Sequence, residues 1–220
     1  GAFMSAGDNP QNVHFSPEEL TVAVSEADRF GVPVAAHAHA NSGIRMAVEA
    51  GVRSIEHGTY VDNETMDLMV ERGTFLVPTL YIGDVLGDED SNFREKAANV
   101  AFKNKGQENL LARVGEAHRR GVKIAAGVDL GGYHHDPTES AREIAALVKA
   151  GLSPMAAIQA ATSVGAELLY MADQVGSLES GKFADIIAIP GNPLVDVSAL
   201  ERVTFVMKGG RVIKQPSTDD

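Results

Sequence analysis

The sequence predicts an α/β fold of repeated β/α units, followed by a small all-β unit. At several points a polar amphipathic stretch ends in glycine and a short apolar run follows, with the glycines at Gly31, Gly51, Gly73 and Gly121. Glycine adopts the left-handed conformation that ends a helix at little cost. A short apolar run bounded in this way is typical of a buried parallel strand. The repeat of helix, glycine and strand therefore predicts parallel β/α units.

Helix starts fit the same scheme. Ser16 and Pro17 offer an N-cap and a proline in the first turn, and Glu19 completes a capping box. The pattern predicts helices over residues 17–30, 41–50, 62–72, 94–120, 138–150 and 153–169. The polar stretch from Tyr81 to Phe93 contains two glycines and is expected to be a long loop after a strand, where barrel enzymes often place lids.

The pattern of residue types changes after Tyr170. Turn-rich segments alternate with short apolar runs, and Lys208-Gly209-Gly210 lies between the last two runs as a hairpin turn. We therefore expect three regions: a barrel portion over residues 1–174, a small β unit over residues 175–214, and a disordered tail over residues 215–220.

Composition excludes several classes of function. The net charge of −11 and the absence of a basic stripe argue against binding to nucleic acid or to anionic membranes. No apolar run approaches the roughly 20 residues that a membrane-spanning helix needs. The chain has no cysteine, which excludes disulfides, thiolate metal ligands and a cysteine nucleophile. Any metal must therefore be held by histidine and carboxylate groups.

Three chemically capable side chains end predicted strands. His37, His57 and Asp129 each close a short apolar run. In a β/α barrel the carboxyl ends of the strands meet at one mouth, so these side chains are expected to converge. Two imidazoles and a carboxylate suit zinc or a similar divalent ion. A single histidine at a strand end is more often a hydrogen-bonded structural residue, but three such side chains in register favour a metal site.

Other polar side chains are expected near this mouth. His39 lies on the same face of its strand as His37. It could be a second metal ligand, a substrate contact or a structural polar residue of the mouth, and we favour the substrate contact. Arg45, at the start of the next helix, is a candidate for binding a substrate carboxylate, with a solvated surface arginine as the alternative. His134 and His135 follow Asp129 in a loop and are further candidates for substrate contacts.

Several motifs resemble one family in order and spacing. They are Ala35-Ala36-His37-Ala38-His39, Ser54-Ile55-Glu56-His57-Gly58, Val77-Pro78-Thr79-Leu80, Ala126-Gly127-Val128-Asp129, and the glycine-rich segment at residues 176–185. Together they resemble the amidohydrolase superfamily, in particular its branch of Xaa-Pro dipeptidases and imidazolonepropionase-like enzymes. The resemblance covers nearly the whole chain.

The resemblance implies the C-terminal part of a (β/α)8 TIM-type barrel followed by a small β-sandwich portion. His37 and His57 would be the strand-5 and strand-6 ligands of one metal. Asp129 would bind a second metal and act as the acid/base, so that two zinc ions are expected. Val128 stands where the family usually has threonine.

Other family features are missing from this sequence. The His-x-His pair of strand 1 and the carboxylated lysine of strand 4 are absent, and residues 1–5 resemble the segment that follows that lysine. The resemblance therefore implies an N-terminal half outside this chain, without which we expect no activity. A homo-oligomer and a cytoplasmic location are also expected.

The leading hypothesis is a metal-dependent hydrolase that cleaves the amide bond of a dipeptide or an N-acyl amino acid. One alternative is a cyclic amide hydrolase similar to imidazolonepropionase. A second is a binding module without catalysis. A rival topology, in which His37 and His39 form the strand-1 pair, is disfavoured because His57 follows at another strand end after only 20 residues.

Overall fold

A computed structural model describes residues 8–87, 106–129 and 140–216, with the backbone alone described at 84–87 and 107. Its elements, in chain order, are α1 Pro17–Asp28, β1 Ala35–Ala38, α2 Asn41–Ala50, β2 Ser54–His57, α3 Asn63–Arg72, β3 Phe75–Val77, α4 Leu80–Gly87, α5 Gln107–Arg120, α6 Ser140–Lys149, α7 Pro154–Ala160, α8 Ser163–Leu168, β4 Ile186–Ala188, a 3₁₀ helix Val197–Glu201, β5 Phe205–Lys208 and β6 Arg211–Lys214.

The first three strands form a parallel sheet in the order β1-β2-β3. Ala35 is in register with Ser54, and Ser54 with Phe75. The predicted fourth strand follows β3 as a single parallel bridge between Leu76 and Ile124. The predicted parallel β/α units are therefore present, side by side in chain order.

The two faces of this sheet have different roles. Ile55 and Leu76 are completely buried on the face that packs against the helices, where they join the main core cluster. Phe75, Val77 and Ala125 form a second cluster. Since alternate strand residues point to opposite faces, this second cluster lies on the inner side of the curved sheet. The residues in register with this cluster share that inner side, namely Ser54 and Glu56 on β2 and Ala35 and His37 on β1.

The expected helix signals are present. Ser16 and Glu19 form a reciprocal capping box at the start of α1. Gly51, Gly73 and Gly121 follow α2, α3 and α5 with φ of 96°, 68° and 96°. These values lie in the left-handed region that favours glycine, so these helices end where the sequence predicted.

Two predictions of local structure were wrong. The segment expected to be a loop after Tyr81 begins as helix α4, which runs from Leu80 to Gly87; the rest of the expected loop lies outside the described residues. The helix expected over residues 153–169 is two helices, because the backbone leaves the helical conformation at Thr162, with φ −128° and ψ −93°. The N-terminal part of the helix expected over residues 94–120 lies outside the described residues; within them, α5 begins at Gln107.

The C-terminal strands form a separate antiparallel sheet in the order β4-β5-β6. Gly209 and Gly210 connect β5 to β6, which confirms the predicted hairpin. Ile187 and Ile213 on this sheet are 55% and 60% exposed. That these strands belong to a β-sandwich, and that the chain divides near residue 175, remain predictions. In the described part of the chain no helix has both the length and the hydropathy to cross a bilayer.

Candidate metal centre

Three histidines meet at the carboxyl ends of β1 and β2. His37 lies on β1, His39 is the first residue after the end of β1, and His57 is the last residue of β2. Their candidate ligand atoms all lie within 4.8 Å of one another. The ring centroids are separated by 4.6 to 4.9 Å. We refer to these residues as the histidine cluster.

Two threonine hydroxyls hold the imidazoles of this cluster. Nδ1 of His39 lies 2.8 Å from Oγ1 of Thr59, and Nδ1 of His57 lies 2.6 Å from Oγ1 of Thr79. Because Nδ1 faces the threonine hydroxyl in both rings, Nε2 is the nitrogen on the side away from that hydroxyl.

Burial keeps the imidazoles of His39 and His57 neutral at physiological pH. It is the main cause that lowers the pKa of His39 to about 2, with further contributions from the neighbouring His57 and His37, while Asp8 acts in the opposite direction. Burial likewise lowers the pKa of His57 to about 4, together with His37 and against Asp129. A neutral imidazole has the lone pair that a metal requires, so a cation could bind His57 and His39 without displacing a proton from them.

Asp129 follows the fourth parallel segment and interacts electrostatically with His57. Its φ is 56°, and His57 and Thr79 also have positive φ, of 72° and 51°. Residues other than glycine rarely adopt this backbone conformation, and such strain is concentrated at functional sites. All three residues lie at the carboxyl ends of neighbouring strands, where the sequence placed the site.

Glu56 is a member of this region that the sequence reasoning did not single out. It accepts a hydrogen bond of 2.6 Å from the Ser54 hydroxyl. Burial is the main cause that raises its pKa, the Ser54 hydrogen bond opposes this, and Asp129 adds to it. Its register with His37 places it on the inner face of the sheet. Strand alternation could have revealed this, because Glu56 and Ser54 are spaced by two residues.

The remaining predicted site residues have different positions. His39 was expected to contact substrate, and the structure brings it into the histidine cluster. The guanidinium of Arg45 makes ion pairs with Glu49 at 3.2 Å and Glu64 at 3.5 Å on the surface of α2 and α3. Its role in substrate binding stays a prediction. The predictions for His134 and His135 lie outside the described residues.

The donor set fits a divalent metal ion. Three imidazoles with a carboxylate nearby are nitrogen and oxygen donors that zinc accepts. Ligand atoms within 4.8 Å of one another need only small rotations of their side chains to share one ion. The arrangement could therefore hold a metal ion through His37, His57 and His39, with Asp129 at its edge.

A family model described as the amidohydrolase family matches residues 1–213. Ochratoxinase from Aspergillus niger is 37% identical over 226 residues, which cover 98% of this chain and 45% of that protein. These matches confirm the resemblance inferred from the motifs.

Similar solved structures support the same family. A Xaa-Pro dipeptidase with methionine bound in its active site superposes with a TM-score of 0.85 at 41% identity, covering 93% of this chain and 50% of that one. A prolidase in complex with N-methylphosphonate-L-proline superposes with a TM-score of 0.85 at 32% identity, covering 98% and 53%. The chain thus spans about half the length of the relatives it matches.

Proposed function

Because this chain belongs to the amidohydrolase family, we propose that it forms part of a metal-dependent hydrolase that cleaves the amide bond of a dipeptide or an N-acyl amino acid. The observation that carries this proposal is the histidine cluster, with Asp129 close enough to act on His57. The names of the similar structures, a Xaa-Pro dipeptidase and a prolidase, support a substrate of this class.

In this proposal His37 and His57 hold a first divalent ion and Asp129 contributes to a second, with zinc as the expected metal. Such ions activate water at neutral pH and polarise the carbonyl group that is attacked. Asp129 accepts the proton of the attacking water through its carboxylate and donates it to the leaving amine, so that one group serves as base and then as acid. The inner-face carboxyl group of Glu56 lies close enough to Asp129 for the two groups to interact, and this interaction adds to burial in raising the pKa of Glu56.

The rest of the barrel is proposed to come from an N-terminal half of the same enzyme. Within the described residues β1 pairs only with β2, so its other edge is open. A cavity of about 850 Å³ lies beside it, lined in part by α1. No residue of α1 is buried, and the apolar Phe15 and Val22 are 62% and 61% exposed. An open edge next to exposed apolar side chains is unfavourable, which supports cover by a further strand and helix.

For the substrate carboxylate, Arg45 remains the proposed ligand. Its ion pairs with Glu49 and Glu64 are partly exposed, and such pairs contribute only about 0–1 kcal/mol. A substrate could therefore displace them at little cost. Arg45→Met should raise KM for dipeptides without loss of metal. The control is Arg29→Met, because Arg29 forms a comparable pair with Glu26 on α1.

The proposed function is tested on the full-length enzyme by metal analysis and a screen of dipeptides and N-acyl amino acids. Asp129→Asn should reduce kcat by at least about 100-fold, the scale of lost general acid/base catalysis. The exposed Asp173 supplies the control variant Asp173→Asn, which should behave as wild type. Absence of both metal and activity from the wild-type protein would instead favour a binding module, whereas full activity of Asp129→Asn would contradict the role of Asp129 as acid and base.

A further inference from the structure

We propose that Asn41 and Asp62 are positioning residues of the metal centre, because their side chains join the loops that follow its two ligand strands. The ligands concerned are His37 on β1 and His57 on β2. This inference rests on the proposed function and adds to it two residues that are not themselves ligands. We refer to the paired side chains of Asn41 and Asp62 as the clasp.

Two hydrogen bonds of opposite direction form the clasp. The side-chain Nδ2 of Asn41 donates to Oδ2 of Asp62 at 2.6 Å. In return, the backbone N–H of Asp62 donates to Oδ1 of Asn41 at 2.9 Å. The other carboxylate oxygen of Asp62 accepts a hydrogen bond of 2.8 Å from the backbone N–H of Thr65 and thereby caps α3. Both polar atoms of each side chain are engaged, so the orientation of the pair is fixed.

The clasp lies just beyond the carboxyl ends of the two ligand strands. Asn41 is the first residue of α2 and follows His37 by four residues. Asp62 is the N-cap of α3 and follows His57 by five residues. Over such short connections, a change in the distance between Asn41 and Asp62 should move the two imidazoles relative to each other. A shift of this kind is costly where several groups must meet one ion.

The clasp completes a continuous connection between the two loops. The strand register ends with the pair of Ala38 and His57. Beyond it, the backbone N–H of Gly58 donates to the carbonyl oxygen of Ala38, and that of Tyr60 donates to the carbonyl oxygen of His39. The clasp then links the starts of the two helices by side chains. The loops are thus held together from the sheet to the helices.

Asn41 is poorly explained by its own helix. Asparagine is a weak helix former and is favoured at the N-cap position. The N-cap residue of α2 is Ala40, whose side chain has no hydrogen-bonding group. Asn41 lies one residue further and directs its amide to Asp62. A better helix former at position 41 would suit α2 but could not serve both Oδ2 and the N–H of Asp62, which argues for a role in the clasp.

The clasp requires one carboxylate and one amide. Burial raises the pKa of Asp62, but hydrogen bonds from Thr65 and Asn41 and the charge of Arg45 outweigh it, so the pKa is lowered and Asp62 is ionised at neutral pH. Asn41→Asp would therefore bring two carboxylates together, and Asp62→Asn would bring two NH2 groups together. Exchanging the residues, in Asn41→Asp/Asp62→Asn, again pairs a donor with an acceptor at each contact.

The test compares zinc affinity of the wild type, the two single variants and the exchanged variant in the full-length protein, by competition with a chromophoric chelator. Each single variant should weaken zinc binding about 2- to 30-fold, the range for residues that act on a site without touching its ligand. The exchanged variant should recover the wild-type affinity. Zinc affinity is measured instead of turnover because Arg45, the proposed ligand of the substrate carboxylate, also acts on Asp62.

The matched control is Asn63→Asp. It makes the same substitution one residue from Asp62, but the side chain of Asn63 accepts from Arg113 and has no part in the clasp. This variant adds the same charge and should bind zinc at least as tightly as the wild type.

The exchanged variant separates positioning from stability. A merely structural clasp would lower the urea stability of the single variants and leave the zinc affinity of the folded protein unchanged, and that result would overturn the inference. An exchanged variant that binds zinc as weakly as the single variants would also overturn it. If Asn41→Asp does not fold, Asp62→Asn adds no charge and decides the question together with the exchanged variant. A wild-type protein that binds no zinc would overturn the proposed metal centre, and the inference with it.

Discussion

The carboxylate of Glu143 accepts a hydrogen bond of 2.7 Å from the backbone N–H of Tyr81. Its other oxygen accepts one of 3.0 Å from the N–H of Leu80. Glu143 lies on α6 and is completely buried, and its two oxygens cap the first turn of α4. Because α4 starts directly after Thr79, this contact also fixes the end of the loop that holds His57.

Replacing Glu143 should destabilise the protein. Glu143→Ala leaves two buried N–H groups without their acceptor, at a cost of about 2–4 kcal/mol. Glu143→Gln keeps one acceptor oxygen and should lose less. Urea unfolding measures both, with Glu71→Ala as the control because Glu71 is an exposed glutamate on α3. Equal stability of Glu143→Ala and this control would show that the contact does not matter.

Close packing of α5 against the end of α6 requires glycine at position 115. A Cβ atom there would lie well within 3.0 Å of the carbonyl oxygen of Ala150. Alanine gains about 1 kcal/mol of helix propensity, but forced overpacking costs about 1–3 kcal/mol, and backbone cannot rotate away. We therefore expect Gly115→Ala to lower the melting temperature.

The matched control for this change is Gly165→Ala, also within a helix. Its Cβ would approach the carbonyl oxygen of Ala160 only to 3.3 Å, which a small shift accommodates. Gly165→Ala should be neutral or mildly stabilising. If both variants melt at the wild-type temperature, the predicted clash at Gly115 does not exist.

The metal-free protein should lose stability as the pH falls from 7 to 5. The pKa of His39 is about 2 and that of His57 about 4 in the folded protein, against 6.5 for histidine in the unfolded chain. Between 6.5 and these lower values the unfolded chain binds more protons, so stability decreases with decreasing pH. Each of the two histidines should account for about 1–2 kcal/mol of the stability lost between pH 7 and pH 5.

Denaturant unfolding at pH 7 and pH 5 measures this effect. His39→Asn cannot take up the proton and should reduce the loss of stability by the share of one histidine. Bound zinc should raise the stability of the folded protein at pH 7, because it binds the folded state alone. A metal-free protein that is equally stable at both pH values would contradict burial of neutral imidazoles.

Sequence periodicity was sufficient for the parallel units because glycine after each helix and apolar runs are local signals. The start of α4 was missed because its cap comes from Glu143, 62 residues away from Tyr81. Local sequence carries no sign of that contact. The break at Thr162 does have a local signal, because residues 162–165 (Thr-Ser-Val-Gly) are weak helix formers. The helical pattern on both sides of them outweighed it in the prediction.

The candidate site was predicted in part. Strand ends identified His37 and His57, because position in a β/α unit determines which side chains reach the mouth. The place of His39 in the cluster depends on the distance between its ring and those of its neighbours, about 4.7 to 4.9 Å, which spacing in sequence does not give. The hydroxyls of Thr59 and Thr79 are likewise apparent only from the folded loops.

Anomalous diffraction at the zinc absorption edge, from crystals of the full-length protein grown with zinc, tests the central claim most directly. The account predicts a zinc peak about 2.0–2.1 Å from a ring nitrogen of His37 and from Nε2 of His57. The structure places both imidazoles in one cluster, which makes a shared ion possible. A zinc peak only at another position, with none between these two imidazoles, would contradict the proposed metal centre.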